Sequence, residues 1–91
     1  MSDSLYNNTD FDLSNKVAVV TGGCGLLGKE FSRALLSAGA KVIIGDIDKD
    51  KLIQFSETLS KKYSKSRFSI EELDISNIKS IDIFINKVEK L

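Results

Sequence analysis

The sequence predicts an α/β fold in which strands and helices alternate, and three observations support this prediction. Short apolar, β-branched runs of strand length are each followed by a segment with helical spacing of its apolar residues. A glycine-rich turn joins the first run to its helix, and an aspartate ends the second run. Such alternation implies parallel strands. We therefore predict a Rossmann-like β-α-β-α-β-α arrangement with a three-stranded parallel sheet, an incomplete half of a doubly wound fold.

The first strand and helix enclose the turn. Lys16 to Thr21 has the length and composition of a buried parallel strand. The amphipathic stretch after the turn stops at Gly39. Its apolar positions recur at helical spacing and are Leu27, Phe31, Ala34, Leu35 and Ala38.

The turn contains four glycines, and the segment from Gly23 to Gly28 reads G-x-G-x-x-G. One glycine allows a tight turn, with a positive φ as one way to make it, and another leaves room for a diphosphate near the backbone. Gly28 lets the helix pack close to the strand. The unpaired amides and positive dipole at the helix start would then hold phosphate oxygens.

An acid follows the second strand at the spacing expected for ribose binding. Val42 to Ile44 is a second apolar run, and Asp46 lies 18 positions beyond Gly28. A carboxylate there accepts hydrogen bonds from both ribose hydroxyls and repels a 2′-phosphate. This favours NAD over NADP, with a solvated loop acid as the alternative interpretation.

The turn allows two other interpretations. The segment Gly23 to Lys29 also fits the start of a P-loop, but Glu30 stands where a Ser or Thr should bind magnesium, so we reject it. Cys24 could serve as a nucleophile near a helix N-terminus. A small residue that fits a tight turn is the simpler interpretation of Cys24.

The remaining elements are predicted from the same kind of pattern. Asp48 is the expected N-cap of a second helix, Arg67 to Leu73 is the third strand, and Ser76 or Asn77 caps the last helix. The second helix has its apolar face at Leu52, Phe55, Leu59 and Tyr63. The last helix has its apolar face at Ile78, Ile81, Phe84, Ile85, Val88 and Leu91.

Composition limits the class of protein. The 91 residues carry 13 basic and 13 acidic side chains, which gives no reason to expect a nucleic acid or a membrane as partner. One cysteine, no visible signal peptide and no histidine predict a cytoplasmic protein without a metal site. We expect residues 1–14 to form a polar N-terminal tail, with Phe11 and Leu13 tucked against the sheet, and 15–91 to form a partial dinucleotide-binding domain.

With these residues placed, the chain resembles the N-terminal part of the short-chain dehydrogenase/reductase family. The matching pieces are Lys16 to Gly22, the glycine turn, Asp46, and Leu73 to Ser76. The resemblance implies that Asp74 lies beside the adenine ring. The predicted cofactor-binding residues are Thr21, Gly22, Gly23, Cys24, Gly25, Leu26, Leu27, Gly28, Asp46, Ile47, Asp74 and Ile75.

The turn departs from the common family pattern. Thr21 to Gly28 fits T-G-x-x-G-x-x-G, which looks like the extended branch that acts on nucleotide-linked sugars. The string through Lys29 looks like members of bacterial surface-sugar and flagellin-modification pathways. Family members that prefer NADP usually carry a basic residue in the turn or after the second strand. Here those places hold Gly25, Leu27 and Ile47, which again favours NAD.

The family's catalytic Tyr-x-x-x-Lys pair is not found in this sequence. Tyr6 is followed four positions on by Asp10, and Tyr63 by Arg67, so we predict no catalytic residue here. The favoured hypothesis is the NAD-binding N-terminal fragment of an oxidoreductase, unable to catalyse alone. The alternatives are a fragment of a nucleotide-sugar epimerase or dehydratase, and a non-catalytic remnant. A small-molecule substrate and a homo-oligomer are expected only of a full-length form.

Overall fold

The computed structural model describes residues 12–89 of the chain, and the side chains of residues 12–83. The alternation of strands and helices confirms the predicted fold class. Residues 1–11 of the predicted tail, including Phe11, lie outside the described part. The elements are β1 (Val17–Thr21), α1 (Leu26–Ser37), β2 (Lys41–Asp46), α2 (Lys49–Ser60), β3 (Phe68–Glu72) and α3 (Ile78–Glu89).

The three strands form one parallel sheet in the order β1-β2-β3. β2 lies in the middle, with Val17 opposite Lys41 on one side and Val42 opposite Phe68 on the other. Val42, Ile43 and Ile44 are fully buried, as expected for a strand covered on both faces.

Helices cover both faces of β2. Val42 and Ile44 pack in one core with Leu36 of α1 and with three residues of α2. Ile43 points the other way, since side chains alternate along a strand, and packs with Leu73 and Ile81 of α3. The three residues of α2 in the first core are Leu52, Phe55 and Leu59, as predicted.

The strand β1 has the composition of a buried strand, but the described sheet leaves it partly exposed. The strand begins at Val17, one residue later than expected, and Val17 and Val19 are 53% and 44% exposed. The physical reason is that β1 forms an edge of the described sheet, so only its β2 side is paired. The composition of a β-branched run does not distinguish a strand at the edge of a sheet from one in the middle.

The predicted apolar face of α1 is also partly wrong. Leu27 and Phe31 are mostly exposed, and the buried residues are Gly28, Ser32 and Leu36. These three lie at i, i+4 and i+8, one stripe along the helix. Small residues on this stripe allow the helix axis to come close to the sheet, and an apolar pattern does not detect them.

The helix caps agree with the sequence more closely. The Lys51 amide donates to Asp48 Oδ1 at 3.1 Å, which confirms the N-cap of α2. Asn77, rather than Ser76, caps α3, because its Oδ1 accepts from the amides of Lys79 and Ser80. No described helix is long and apolar enough to cross a membrane.

The outer ends of the predicted elements differ in detail. β3 is shorter than expected, and Tyr63 lies beyond the end of α2, although it still packs against the core. Ile78 is 78% exposed, so it is not part of the buried face of α3. Leu13 packs against the core as expected, and its amide donates to Ala38 O at 2.8 Å. The rest of the predicted α3 face (Phe84, Ile85, Val88 and Leu91) lies outside the described side chains.

Candidate functional site

The glycine turn begins directly after β1 at the carboxyl edge of the sheet. Gly22 has φ +65°, a left-handed conformation that favours glycine. The Gly25 amide donates to Gly22 O at 3.1 Å and closes the turn. The positive φ therefore falls on Gly22, one residue before the literal G-x-G-x-x-G that starts at Gly23. The motif locates the turn but does not single out Gly22 as the glycine with positive φ.

Two further glycines are required by close packing. A Cβ on Gly28 would overlap Gly22 O and would lie 2.7 Å from the Gly23 Cα. Gly28 thus lets α1 pack against the turn itself, rather than against the strand as predicted. A Cβ on Gly23 would overlap the Ile44 side chain, so this glycine makes room for β2. A Cβ on Gly25 would meet only Gly22 O, at an ordinary 3.5 Å.

The start of α1 has no side-chain cap. Its N-cap is Gly25, with φ −72° and ψ 168°, and the first turn contains no acidic residue. The first amide with a helical acceptor is that of Lys29, which donates to Gly25 O at 2.9 Å. Among the residues the structure describes, no acceptor is found for the amides of Leu26, Leu27 and Gly28. Three unpaired N–H groups at a helix N-terminus are suited to binding an anion.

The Asp46 carboxylate lies beside this turn at the end of β2. Its Oδ2 accepts from the Cys24 amide at 3.0 Å, and its Oδ1 accepts from the Asp48 amide at 2.9 Å. The side chain is half-buried. A carboxylate oxygen has two lone pairs, so each oxygen still has one for a further donor.

Cys24 packs inward from the turn. Its side chain is 3% exposed and belongs to the core that contains Val20 and Leu36. Burial, helped by the nearby Asp46 carboxylate, raises the pKa of the Cys24 thiol. A protonated, buried thiol is a weak nucleophile, which supports the interpretation of Cys24 as a packing residue.

A cavity of about 270 Å³ opens next to the turn, at the carboxyl ends of the three strands. Ile47 and Ile75 are among its lining residues and are both largely exposed. All of the lining residues except Leu73 are among the predicted cofactor-binding residues. The sequence marks Leu73 only as the end of the third strand. The other predicted site residues, from Gly23 to Gly28, belong to the turn and helix start beside the cavity. The lining residues are Thr21, Gly22, Asp46, Ile47, Leu73, Asp74 and Ile75.

Asp74 is held in place by its own loop. Its Oδ1 accepts from the Ser76 hydroxyl at 2.6 Å and from the Ser76 amide at 3.0 Å. These two hydrogen bonds, the hydroxyl first, lower the pKa of the Asp74 carboxyl. The Asp74 amide donates to Ser80 Oγ at 2.9 Å, which joins the loop to α3.

A parallel sheet with a glycine turn and an aspartate at its carboxyl edge defines a Rossmann-type α/β domain. A family model described as short chain dehydrogenase matches residues 16–91. The chain therefore belongs to the short-chain dehydrogenase family.

Individual relatives agree with this assignment. A 7alpha-hydroxysteroid dehydrogenase from Bacteroides fragilis is 31% identical over 86 residues, covering 81% of this chain and 33% of that protein. An NADPH-bound short chain oxidoreductase from Pseudomonas aeruginosa PAO1 superposes with a TM-score of 0.81 at 30% identity, covering 87% of this chain and 31% of the other. A short chain dehydrogenase/reductase from Burkholderia phymatum in complex with NAD gives 0.73 at 25% identity, covering 84% and 26%.

This chain is much shorter than the relatives it matches, and the related structures carry different cofactors. It spans about a quarter to a third of the length of the curated relatives it matches. One structural neighbour carries NADPH and another NAD, so the neighbours do not distinguish the two cofactors.

Proposed function

We propose that this chain forms the adenosine and diphosphate half of an NAD(H) site in an oxidoreductase. One observation carries the proposal: the Asp46 carboxylate, the unpaired amides of α1 and a cavity lie together at the carboxyl edge of the sheet. Ligands of open α/β sheets bind at this edge.

The helix start fits a diphosphate. The amides of Leu26, Leu27 and Gly28 need an acceptor, and Gly25 places no side chain over them. The positive end of the helix dipole adds to the attraction for an anion. We assign these amides to the diphosphate oxygens.

The end of β2 fits an unmodified ribose. The remaining lone pairs of Asp46 can accept from two ribose hydroxyls, in addition to the two amides already bound. A 2′-phosphate would meet the Asp46 charge with Asp48 close by, and the intervening residue, Ile47, offers no cation. This supports NAD over NADP for this chain.

The cavity fits a flat apolar group. Ile47 and Ile75 offer apolar surface, and the Asp74 carboxylate and neighbouring backbone offer polar contacts at its edge. We assign the adenine ring to this cavity, in line with the family resemblance.

The proposal places catalysis outside these residues. A bound nicotinamide would supply the hydride donor or acceptor, and this sequence contributes binding and orientation without the Tyr-x-x-x-Lys pair. We further propose a small-molecule substrate and a homo-oligomer for a full-length form, and a cytoplasmic location. The matched family does not favour the nucleotide-sugar epimerase or dehydratase. The relatives named above do not support the surface-sugar or flagellin-modification type, which stays a prediction from the sequence.

Calorimetric titration with NAD and with NADP tests the proposal. We expect NAD to bind more tightly, and Asp46→Ala to weaken NAD binding about tenfold or more, because each charged hydrogen bond contributes about 1.5–3 kcal/mol. The same substitution should reduce discrimination against NADP. Asp48→Asn is the matched control for NAD affinity, since it keeps the helix cap and the backbone amide that donates to Asp46. Equal affinities of Asp46→Ala and the unmodified chain for both cofactors would remove Asp46 from the ribose site.

A further inference from the structure

We infer that Asp46 also sets the conformation of the glycine turn before any nucleotide binds, and so acts as a positioning residue for the diphosphate. The inference rests on the proposed function, because the diphosphate is the ligand that the turn would hold. Asp46 would then have two roles: it would bind the ribose and it would hold the glycine turn in place.

The turn is attached to β2 by a pair of hydrogen bonds. Two successive amides of the turn bond to two successive residues of the strand: Gly23 to Gly45 O at 3.0 Å, and Cys24 to Asp46 Oδ2 at 3.0 Å. The second bond joins residues 22 positions apart and depends on a side chain. A substitution at position 46 therefore removes half of this attachment without changing the turn sequence.

The Asp46 carboxylate is itself fixed. Its other oxygen accepts from the Asp48 amide at 2.9 Å, just before the start of α2. Asp46 thus connects the turn to the α2 start through one rigid group. An asparagine has the same shape but one acceptor oxygen, so one of the two amides would face the NH₂ group.

The Cys24 amide lies just ahead of the amides that would hold the diphosphate. The Cys24 side chain is buried in the core, so its amide is held on both sides, by packing and by Asp46. The unpaired amides of Leu26 to Gly28 begin two residues later. Loss of the Asp46 bond leaves the Cys24 amide without its acceptor and lets the start of α1 shift, because burial of an unpaired donor is unfavourable.

A ligand without ribose hydroxyls separates the two tasks. We compare ADP with 2′,3′-dideoxy-ADP, using the unmodified 91-residue chain, Asp46→Asn and the control Asp48→Asn. If Asp46 only bound the diol, the unmodified chain and Asp46→Asn would bind the dideoxy probe equally. We expect Asp46→Asn to bind that probe about fivefold more weakly, the size of one lost hydrogen bond. Asp48→Asn should bind it like the unmodified chain.

Amide hydrogen exchange without nucleotide gives an independent readout. In the unmodified chain we expect the Cys24 amide to be protected, and in Asp46→Asn to exchange about tenfold faster, with core amides of β2 unchanged. An unprotected Cys24 amide in the unmodified chain overturns the inference even if Asp46→Asn fails to fold. So does equal binding of the dideoxy probe by the unmodified chain and Asp46→Asn. If the unmodified chain binds neither probe, the proposed function fails, and exchange alone still decides whether Asp46 holds the turn.

Discussion

The two ends of α1 differ in whether a side chain from elsewhere in the chain pairs with their free backbone groups. At its carboxyl end, one guanidinium nitrogen of Arg67 donates to Leu36 O at 2.7 Å and to Ala40 O at 3.1 Å. The same guanidinium lies 5.5 Å from the centre of the Tyr63 ring. At its amino end, Gly25 supplies no side chain at all.

This contrast indicates where the domain leaves room for a ligand. Both ends of a helix leave backbone groups without partners. The Arg67 guanidinium, 31 positions beyond Leu36, donates to the Leu36 carbonyl in the last turn of α1. Among the described residues, no group accepts from the unpaired amides at the start of the helix. Three basic residues, Lys16, Lys41 and Arg67, lie at or just before the strand starts, and two acidic residues, Asp46 and Asp74, lie at or just after strand ends.

The largest effect is expected from filling the contact between α1 and the turn. Gly28→Val should destabilise the chain by about 3 kcal/mol, because its side chain would overlap the backbone of Gly22 and Gly23. Gly25→Ala is the control, since a Cβ there meets only an ordinary contact. Urea unfolding followed by circular dichroism measures both. Equal stability of the two variants would mean that the helix does not pack on the turn in this way.

The next effect concerns the carboxyl end of α1, where Arg67 donates to the backbone carbonyls. Arg67→Met should cost about 2 kcal/mol, because it leaves the carbonyls of Leu36 and Ala40 without their charged donor. Arg67→Lys keeps the charge but not the planar group, so we expect an intermediate loss. The same unfolding measurement applies. A neutral result for Arg67→Met would show that water replaces the guanidinium without cost.

Adding a side-chain cap at the amino end of α1 should have opposite effects on folding stability and on NAD binding. Gly25→Ser places a hydroxyl at an N-cap with suitable backbone angles, and should stabilise the chain by about 0.5 kcal/mol. The same hydroxyl would accept a hydrogen bond from one of the amides that we assign to the diphosphate, so NAD binding should weaken. Unfolding and calorimetry on the same samples test both parts. A stabilised variant with unchanged NAD affinity would place the diphosphate elsewhere.

The smallest effect is a titration at the acidic edge. The pKa of Asp74 is lowered mainly by the Ser76 hydroxyl, so Ser76→Ala should move that pKa back towards its usual value. A lowered folded-state pKa favours folding above the unfolded-state value, and this contribution is lost as the pH falls through the folded value. Carboxyl carbon shifts followed by NMR measure the change. An unchanged titration curve would mean that the hydroxyl bond does not form.

The sequence predicts most of the fold, because apolar periodicity and cap residues act locally. Asp48 shows this, since its capping bond spans only three residues. Local patterns fail where a neighbour decides the outcome. Gly28 and Ser32 form the buried stripe of α1 because the turn and sheet approach them, and hydropathy ignores both.

The candidate site follows the same rule. Asp46 is found from its spacing to the glycines, but its bond to the Cys24 amide depends on how the turn folds back onto β2. Gly22 has the positive φ although the motif can be written without it. Arg67 carries no signal at all, since its acceptors lie far away in the chain.

The buried position of Cys24 makes it a natural reporter. It is the sole cysteine of the 91 residues and sits at the centre of the turn. Any thiol reagent can reach it only when this segment opens locally, so the alkylation rate counts those openings. The chain thus comes with a single-site label whose kinetics follow the opening of the turn, with no engineered probe.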